Sequence, residues 1–416
     1  MATSKDERSH QGQNGVIFVS APGKVILHGE HAVVYGKTAL ATSLNLRTFL
    51  RLKPTADGKV TLRLPDIDLN QTWELNSLQE TFSDLLGKDV KDCNPPTKEQ
   101  IEKLKTVDGY HEEDGTKGMA LIAFVYLYLS ITGSKKLEGC NALVVSQLPT
   151  GAGLGSSAAF SVCLAASLLR KVGAISVCGD SGLTTSDLEL INKWAFEGER
   201  LIHGNPSGID NSVSVFGGAL RFKNKPQVSI TPLDKMPQLR ILLINTKVPR
   251  STKELVAGVR EKLDRYPSII NPVLEAVDNL AITCELVLKE MASAQTGDQM
   301  TLMMQLEELV DMNQHFLSIL GVSHPSLQQI CLTTSQYGLH SKLTGAGGGG
   351  CAFTLIRPDT IIKTIDAIDA KMRKCGYEAW ETCLGGVGVV CHRSREDLEK
   401  FEAPADIYSD SDSDSD

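Results

Sequence analysis

Leu148-Pro149-Thr150-Gly151-Ala152-Gly153-Leu154-Gly155-Ser156-Ser157-Ala158-Ala159 is the stretch whose reading decides the fold. It follows an apolar β-type run at 142–145 and leads into a small-residue helical pattern at 158–169. Three glycines at alternate positions let the backbone turn sharply and bring its N–H groups close to a ligand. A helix start comes next, and its unpaired N–H groups and positive dipole end attract an anion. Ser156 and Ser157 add two hydroxyls where a phosphate, or a metal bound to it, would sit. The stretch therefore reads as a phosphate-binding loop. The bland alternative, a tight strand-to-helix turn, rarely needs three glycines and a paired serine. A Walker A loop is excluded because no Lys occurs between Leu148 and Leu169. A dinucleotide fingerprint is excluded because one residue, not two, separates the second and third glycines.

Upstream, an apolar strand at 16–20 runs into Ala21-Pro22-Gly23-Lys24-Val25-Ile26-Leu27-His28-Gly29-Glu30-His31. Pro22-Gly23 predicts a turn, followed by a short strand with Lys24 at one end and Glu30 and His31 at the other. A solvated surface lysine is the ordinary reading of Lys24. Further strands are expected at 39–52 and 60–64, and an apolar helix at 117–132.

Downstream, Ser186-Asp-Leu-Glu189 reads as a capping box for a helix reaching about His203, where Gly204-Asn-Pro stops it. Leu188, Ile191, Ala195 and Ile202 share a stripe, and Glu199 returns to within roughly 20° of Leu188. A carboxylate on the core-facing stripe wants a cation, the alternative being a frayed and solvated helix end. Glu189, Lys193, Glu197 and Arg200 are expected to face away. Asp210 lies in the polar loop 205–211 before a β-type run at 212–216, and alone it reads equally well as a structural turn residue. Residues 224–238 carry the domain boundary. A strand at 239–244, a helix capped by Ser251 or Thr252, helices at 269–291 and 298–320, a strand at 351–356, a helix at 361–375 and a last strand at 386–392 follow. Between them, Lys342-Leu-Thr-Gly345-Ala-Gly-Gly-Gly-Gly350 packs five glycines into six residues, a second backbone built for close approach.

Composition narrows the class. The 416 residues, 42% hydrophobic and 22% charged, suit a globular chain of two or three domains. The longest apolar run, at 119–132, is too short to span a bilayer, and residues 1–14 resemble neither a signal nor a transit peptide. Six of the acidic side chains fall in residues 401–416, which hold no basic ones, so the net charge of −8 leaves about −2 for the rest. No nucleic-acid surface is indicated. The ten cysteines form no C-x-x-C pair and several lie in apolar runs, as expected of reduced core thiols in the cytosol. The Ser-Asp repeat at 409–416 cannot build a core and reads as a solvated tail.

Three motifs in order resemble the GHMP small-molecule kinases: 22–36 (P-G-K-V-I-L-H-G-E-H-A-V-V-Y-G), the phosphate loop 149–159, and 342–351 (K-L-T-G-A-G-G-G-G-C). With 205–210 and 245–250, the first is similar to the animal branch that phosphorylates mevalonate. The resemblance covers about residues 16–395. It implies an α/β fold of two domains: an ATP-binding N-terminal domain at 15–230, like ribosomal protein S5 domain 2, and a ferredoxin-like C-terminal domain at 231–398. Disordered ends at 1–14 and 399–416 complete the expectation. It further implies ATP- and Mg²⁺-dependent phosphorylation of the C5 hydroxyl of R-mevalonate, a step of isoprenoid and sterol biosynthesis, by a cytosolic homodimer without nucleic-acid or membrane partners. Downstream prenyl diphosphates are implied as inhibitors at the ATP phosphate site. The C-terminal Ser-Asp ending is not a peroxisomal tripeptide.

By the same resemblance, the backbone of Gly151, Ala152, Gly153, Leu154, Gly155, Ser156 and Ser157 holds the ATP phosphates, with Ser146 nearby. Ser157 and Glu199 bind Mg²⁺, which supplies the cation that Glu199 wants. Asp210 takes or orients the acceptor's proton, and Lys24 pairs with Asp210 and offsets charge on the transferring phosphoryl. Glu30, His31 and Thr252 position the acceptor. Two positions depart from the animal pattern: Thr150 replaces a proline, and Asp66 replaces an Asn at the nucleotide site. The rival readings are a kinase of the family acting on an already phosphorylated acceptor, and a nucleotide or sugar sensor of the same fold. Retention of Lys24, Ser157, Glu199 and Asp210 together argues against the sensor, which needs neither base nor metal ligand.

Overall fold

The long strand β2 (Ala39–Pro54) is the spine of the molecule. The computed structural model describes residues 15–133, 135–149, 151–176, 182–233, 235–295 and 298–408. The expectations for 1–14, for Thr150 and for the Ser-Asp repeat lie outside these residues. β2 pairs with β1 (Ile17–His28), then β5 (Cys140–Ser146) and β6 (Ala219–Lys223), and touches β11 (Glu378–Leu384) through the single pair Leu44–Leu384. Sixteen residues give it the length to serve different partners along its course. β3 (Lys59–Leu64) lies parallel to β5 and carries β4 (Leu69–Glu74) on its outer edge. A parallel pair needs a long crossover, which here holds α1 (Leu75–Thr81), α2 (Lys98–Leu104) and the apolar α3 (Thr116–Thr132). α3 packs with α4 (Ser156–Lys171) and α5 (Thr185–His203), these two pack with α6 (Ile209–Phe216), and α4 and α6 lie against β1 and β2. β7 (Ser229–Pro232) closes the first half by pairing with β6.

The second half runs β8 (Leu239–Asn245), α7 (Thr252–Arg265), α8 (Pro267–Ser293), α9 (Gln299–Leu320), α10 (Pro325–Ser335), β9 (Ser341–Leu343), β10 (Cys351–Leu355), α11 (Ile362–Lys374), then β11. Its strands lie in the order β11-β8-β10-β9, antiparallel at every pair. This is the β-α-β-β-α-β arrangement of a ferredoxin-like unit, with extra helices in the first connection. The strand β12 (Val390–His392) then returns to pair with β1, and α12 (Arg395–Glu399) follows. Among the described residues no helix is long and apolar enough to cross a membrane, and every cysteine is free.

Several local expectations are corrected. Pro22-Gly23 makes no turn: β1 is continuous, and the register shifts between these two residues. Such a bulge accommodates the missing proline N–H and re-aims the next side chain. The run at 212–216 is helical, because burial of Ile209 and Val213 and a bond from Ser214 Oγ to Pro22 O (2.7 Å) override its β-branched composition. α5 is capped by Thr184 with Asp187, not by Ser186 with Glu189. Glu197, expected to face away, is buried and pairs with Arg200 at 2.8 Å.

The tail expected to be solvated from residue 399 is packed as far as residue 408. Leu398 and Ile407 are fully buried against Phe49, Leu143 and Val145 on the outer face of β2 and β5. The acidic composition of 401–416 had obscured the apolar Phe401, Ile407 and Tyr408 within it.

Arg47 secures this closure. Its guanidinium is buried, with Nε donating to Ser20 Oγ (2.9 Å) and Nη2 to Ser20 O (3.0 Å) and Gly388 O (2.6 Å). Nη1 donates to Val387 O (3.0 Å), and the charge sits 5.0 Å from the Phe401 ring centroid. Burial pulls its pKa down to about 10, which leaves it charged at neutral pH. Each carbonyl stranded without it costs about 1–3 kcal/mol. Arg47→Met is therefore expected to lower the unfolding free energy by about 3 kcal/mol or more in a denaturant titration; a loss below about 1 kcal/mol would show the network to be dispensable.

Candidate active site

The two glycine loops and the end of β1 meet in one cleft of about 820 Å³. In the first loop Gly151, Gly153 and Gly155 have φ of 70°, 76° and 78°, a region that β-carbon residues rarely enter. At Gly153 and Gly155 space is short as well. A Cβ on Gly155 would lie 2.9 Å from Lys24 Cγ, and one on Gly153 would lie 2.4 Å from Arg250 Nη2. The Lys24 N–H donates to Leu154 O at 2.8 Å, so the bulge after Pro22 fastens β1 to the loop. The first turn of α4, beginning at Ser156, opens onto the cleft beside Ala152 and Leu154. Its free N–H groups and dipole suit a phosphate.

Lys24, almost wholly buried, reaches Asp210 Oδ1 at 3.2 Å from the opposite side. Asp210 stands in the first turn of α6, which Gly208 enters with φ 82°, and its side chain remains 36% exposed to the cleft. Glu199, on the inner stripe of α5, is buried, and its Oε1 has no hydrogen-bond partner. Burial pushes its carboxyl up to about 7, with the negative Asp210 adding to the rise, while Ser157 and Lys24 oppose it. Ser157 Oγ shares a 2.9 Å hydrogen bond with His203 Nε2, which is 3.9 Å from Glu199 Oε2. The sequence thus predicts a constellation of Lys24, Ser157, Glu199 and Asp210, and the fold brings the four together.

At one end of the cleft, Asp66 Oδ2 accepts from the Ser146 N–H at 2.7 Å. Burial raises the Asp66 pKa, and the nearby Asp406 of the C-terminal segment contributes. Ser146 Oγ bonds Thr48 Oγ1 (2.9 Å) and accepts from the Leu148 N–H (3.2 Å), fixing the approach to the glycine loop. Leu64, Ile67, Met119, Val144 and Phe160 give this end an apolar lining. At the other end stand His31, Thr252 and Ala346. Thr252 is the first residue of α7, after the N-cap Ser251, and is exposed to the cleft. His31 is buried, its pKa lowered by that burial, and its Nε2 bonds Ala346 O at 2.8 Å. Glu30 borders the cleft but does not offer it a free oxygen. Its Oε1 is paired with Lys342 and its Oε2 accepts from Asn313 Nδ2 at 3.1 Å.

Three residues escaped the sequence reading. Arg250 Nη2 donates to Ala152 O at 2.7 Å, and a Cβ on Gly350 would collide with the same guanidinium, so Arg250 spans both glycine loops. Its place in the 245–250 motif was the available signal. His203 ended a predicted helix and so read as a terminus. Lys342 headed a quoted motif, but nothing local marks a lysine as buried.

Comparison with known proteins agrees with this geometry. The family model for the GHMP kinases N terminal domain matches residues 120–218, and that for the GHMP kinases C terminal matches 294–374. The mevalonate kinase of Mus musculus is 52% identical over 90% of this chain and 95% of its own length. That of Homo sapiens is 52% identical over 91% and 95%. The fold superposes on the crystal structure of L. major mevalonate kinase in complex with R-mevalonate with a TM-score of 0.64 at 23% identity, covering 93% of this chain and 100% of that one. Identity at this level across nearly the whole of both chains, joined to the convergent cleft, establishes that the chain belongs to the mevalonate kinase family of the GHMP kinases.

Proposed function

We propose that the cleft transfers the γ-phosphoryl group of ATP to the C5 hydroxyl of R-mevalonate, with Asp210 and Lys24 as its catalytic residues. The observation that carries the assignment is the Lys24–Asp210 pair beside the glycine loop, in a chain whose relatives are mevalonate kinases. Phosphoryl transfer demands mainly placement and charge compensation. The C5 hydroxyl, held between His31, Thr252 and Asp210, gives up its proton toward the Asp210 carboxylate as its oxygen bonds the γ-phosphorus. The bond from that phosphorus to the β–γ bridging oxygen breaks, and ADP leaves. The Lys24 ammonium balances charge on the transferring group. Backbone N–H groups of 151–157 hold the phosphates, while the apolar end near Ile67 and Phe160, with Asp66 and Ser146, takes the nucleoside.

The metal implied by the family fits the residues present. Glu199 presents a buried carboxylate oxygen without a partner, and Ser157 a neighbouring hydroxyl, both oxygen donors suited to Mg²⁺. Ser157 and the ionised form of Glu199 would hold the ion, which would supply positive charge beside the phosphates.

Four outcomes test these assignments. Asp210→Asn, which keeps the shape and removes the base, is expected to retain ATP binding and lose at least about a hundredfold in ADP release with R-mevalonate. Wild type is expected to turn over neither phosphomevalonate nor galactose, and turnover of either would move the protein within the family. Because Glu199 titrates near 7 and must lose its proton to bind metal, apparent Mg²⁺ affinity in the presence of ADP should fall as pH drops from 8 to 6. The decline approaches about tenfold per unit below pH 7. Glu199→Gln should bind Mg²⁺ weakly and abolish the part of that slope due to the carboxyl; an unchanged calorimetric profile would reject Glu199 as a ligand. Prenyl diphosphates carry the anionic head that the glycine loop accepts, so farnesyl diphosphate should raise the KM for ATP and leave kcat unchanged. Inhibition that ATP cannot relieve would place it elsewhere.

A further inference from the structure

Glu30 and Lys342 come from opposite halves of the chain, and both side chains are fully buried. Lys342, on β9, also donates to Leu343 O at 2.7 Å and lies 5.2 Å from the Phe353 ring centroid. Asn313, fully buried on α9, donates to the second Glu30 oxygen. Burial pushes the Glu30 carboxyl up and the Lys342 ammonium down, and each charge opposes the other's shift. Removing two charges from water is costly, and an apolar pair of equal volume stabilises a core as well or better. Stability alone is therefore a poor reason for this pair.

Its surroundings supply another. Glu30 is bracketed by two residues of unusual backbone. Gly29 has φ 97°, and a Cβ there would lie 2.3 Å from Thr38 O. His31 has φ 60° and ψ −44°, a strained conformation for a residue with a side chain, which persists only where neighbours enforce it. The turn that begins there, 31–38, is pinned by the second half at both ends. His31 Nε2 bonds Ala346 O, while the Thr38 N–H donates to Asp278 Oδ1 at 2.7 Å and Lys37 pairs with Glu275, both on α8. Thr344, two residues beyond Lys342, bonds both the N–H (3.1 Å) and the carbonyl (2.9 Å) of Ile26 on β1. The strained residue at the head of this turn lines the cleft, as do Val33 and Val34 within it. Each Glu30 oxygen already has a partner within the protein, and the side chain is fully buried.

We propose that Lys342, assisted by Asn313, is a positioning residue of the acceptor site. It anchors Glu30, and through Glu30 holds His31 and the 31–35 turn in the strained conformation that receives the acceptor. Glu30 is thus the anchor of the turn and not a substrate ligand. The inference rests on the reading of the His31 end of the cleft as the acceptor end.

Two variants test it. Glu30→Gln with Lys342→Met removes both charges at similar volume, and Asn313→Leu removes a single hydrogen bond to Glu30. The expected result is that ATP affinity, measured by direct titration, stays within about twofold of wild type while kcat/KM for R-mevalonate falls about tenfold or more. Unchanged acceptor kinetics in both variants would overturn the proposal and leave the pair a packing element. A parallel loss of ATP affinity, acceptor kinetics and melting temperature would overturn it equally, as general destabilisation. Should the double variant fail to fold, Asn313→Leu decides by the same split. Failure of wild type to turn over R-mevalonate would strike the substrate reading instead, and the acceptor that wild type does use then enters the same comparison.

Discussion

Two carboxylates, Glu199 and Asp210, share one corner of the cleft with a single ammonium, Lys24, and a nucleotide brings further negative charge to the same place. That imbalance is the constraint the structure answers. Lys24 cannot neutralise everything, so the backbone supplies partial positive charge, from three glycines in the left-handed region and the start of a sixteen-residue helix. Because the loop must touch Lys24 to share its charge, Gly155 has no room for a β-carbon. Glu199 keeps one buried oxygen without a hydrogen-bond partner, and its burial, with Asp210 beside it, raises its pKa.

The second half completes this site through its backbone more than through its side chains. The loop 345–350 carries five glycines of positive φ, and it delivers Ala346 O to His31 and room for Arg250 against Gly350. Arg250 reaches back to Ala152 O, so the two glycine loops, nearly two hundred residues apart in sequence, are bridged by one guanidinium. Thr344 ties the same segment to β1, and the buried Lys342 ties it to Glu30, just beyond that strand. Each contact joins the half that carries Lys24 to the half that carries Thr252.

What the sequence made legible follows the range of the physics involved. The glycine loop, the helix after it and the inward place of Glu199 are local consequences of spacing, and all three stand in the structure. Asp210 was ambiguous because its significance comes from Lys24, 186 residues away. The helix α6 was read as a strand because Ser212, Val213, Ser214 and Val215 favour extended structure, and only the packing of Ile209 and Val213 reverses that preference. Glu197 was misplaced because α3, α4 and α6 cover α5 on more than one side, which the single stripe through Leu188 does not reveal. Glu30 was expected to meet the substrate, since nothing near it in sequence reveals Lys342 or Asn313. The motif resemblance reached the active site across these distances where periodicity could not.

The C-terminal segment bears on how the chain comes to its structure. β1 finds an edge partner in β12, and Phe49, Leu143 and Val145 are covered by Leu398 and Ile407. Gln147, next to the phosphate loop, bonds Glu402 O at 2.9 Å. On a ribosome, the first two hundred residues emerge with that face bare and that edge open, and both must wait for the last twenty described residues. The nucleotide-binding half is therefore sealed only once residues 390–408 have followed it, and until then an apolar face and a strand edge stay uncovered.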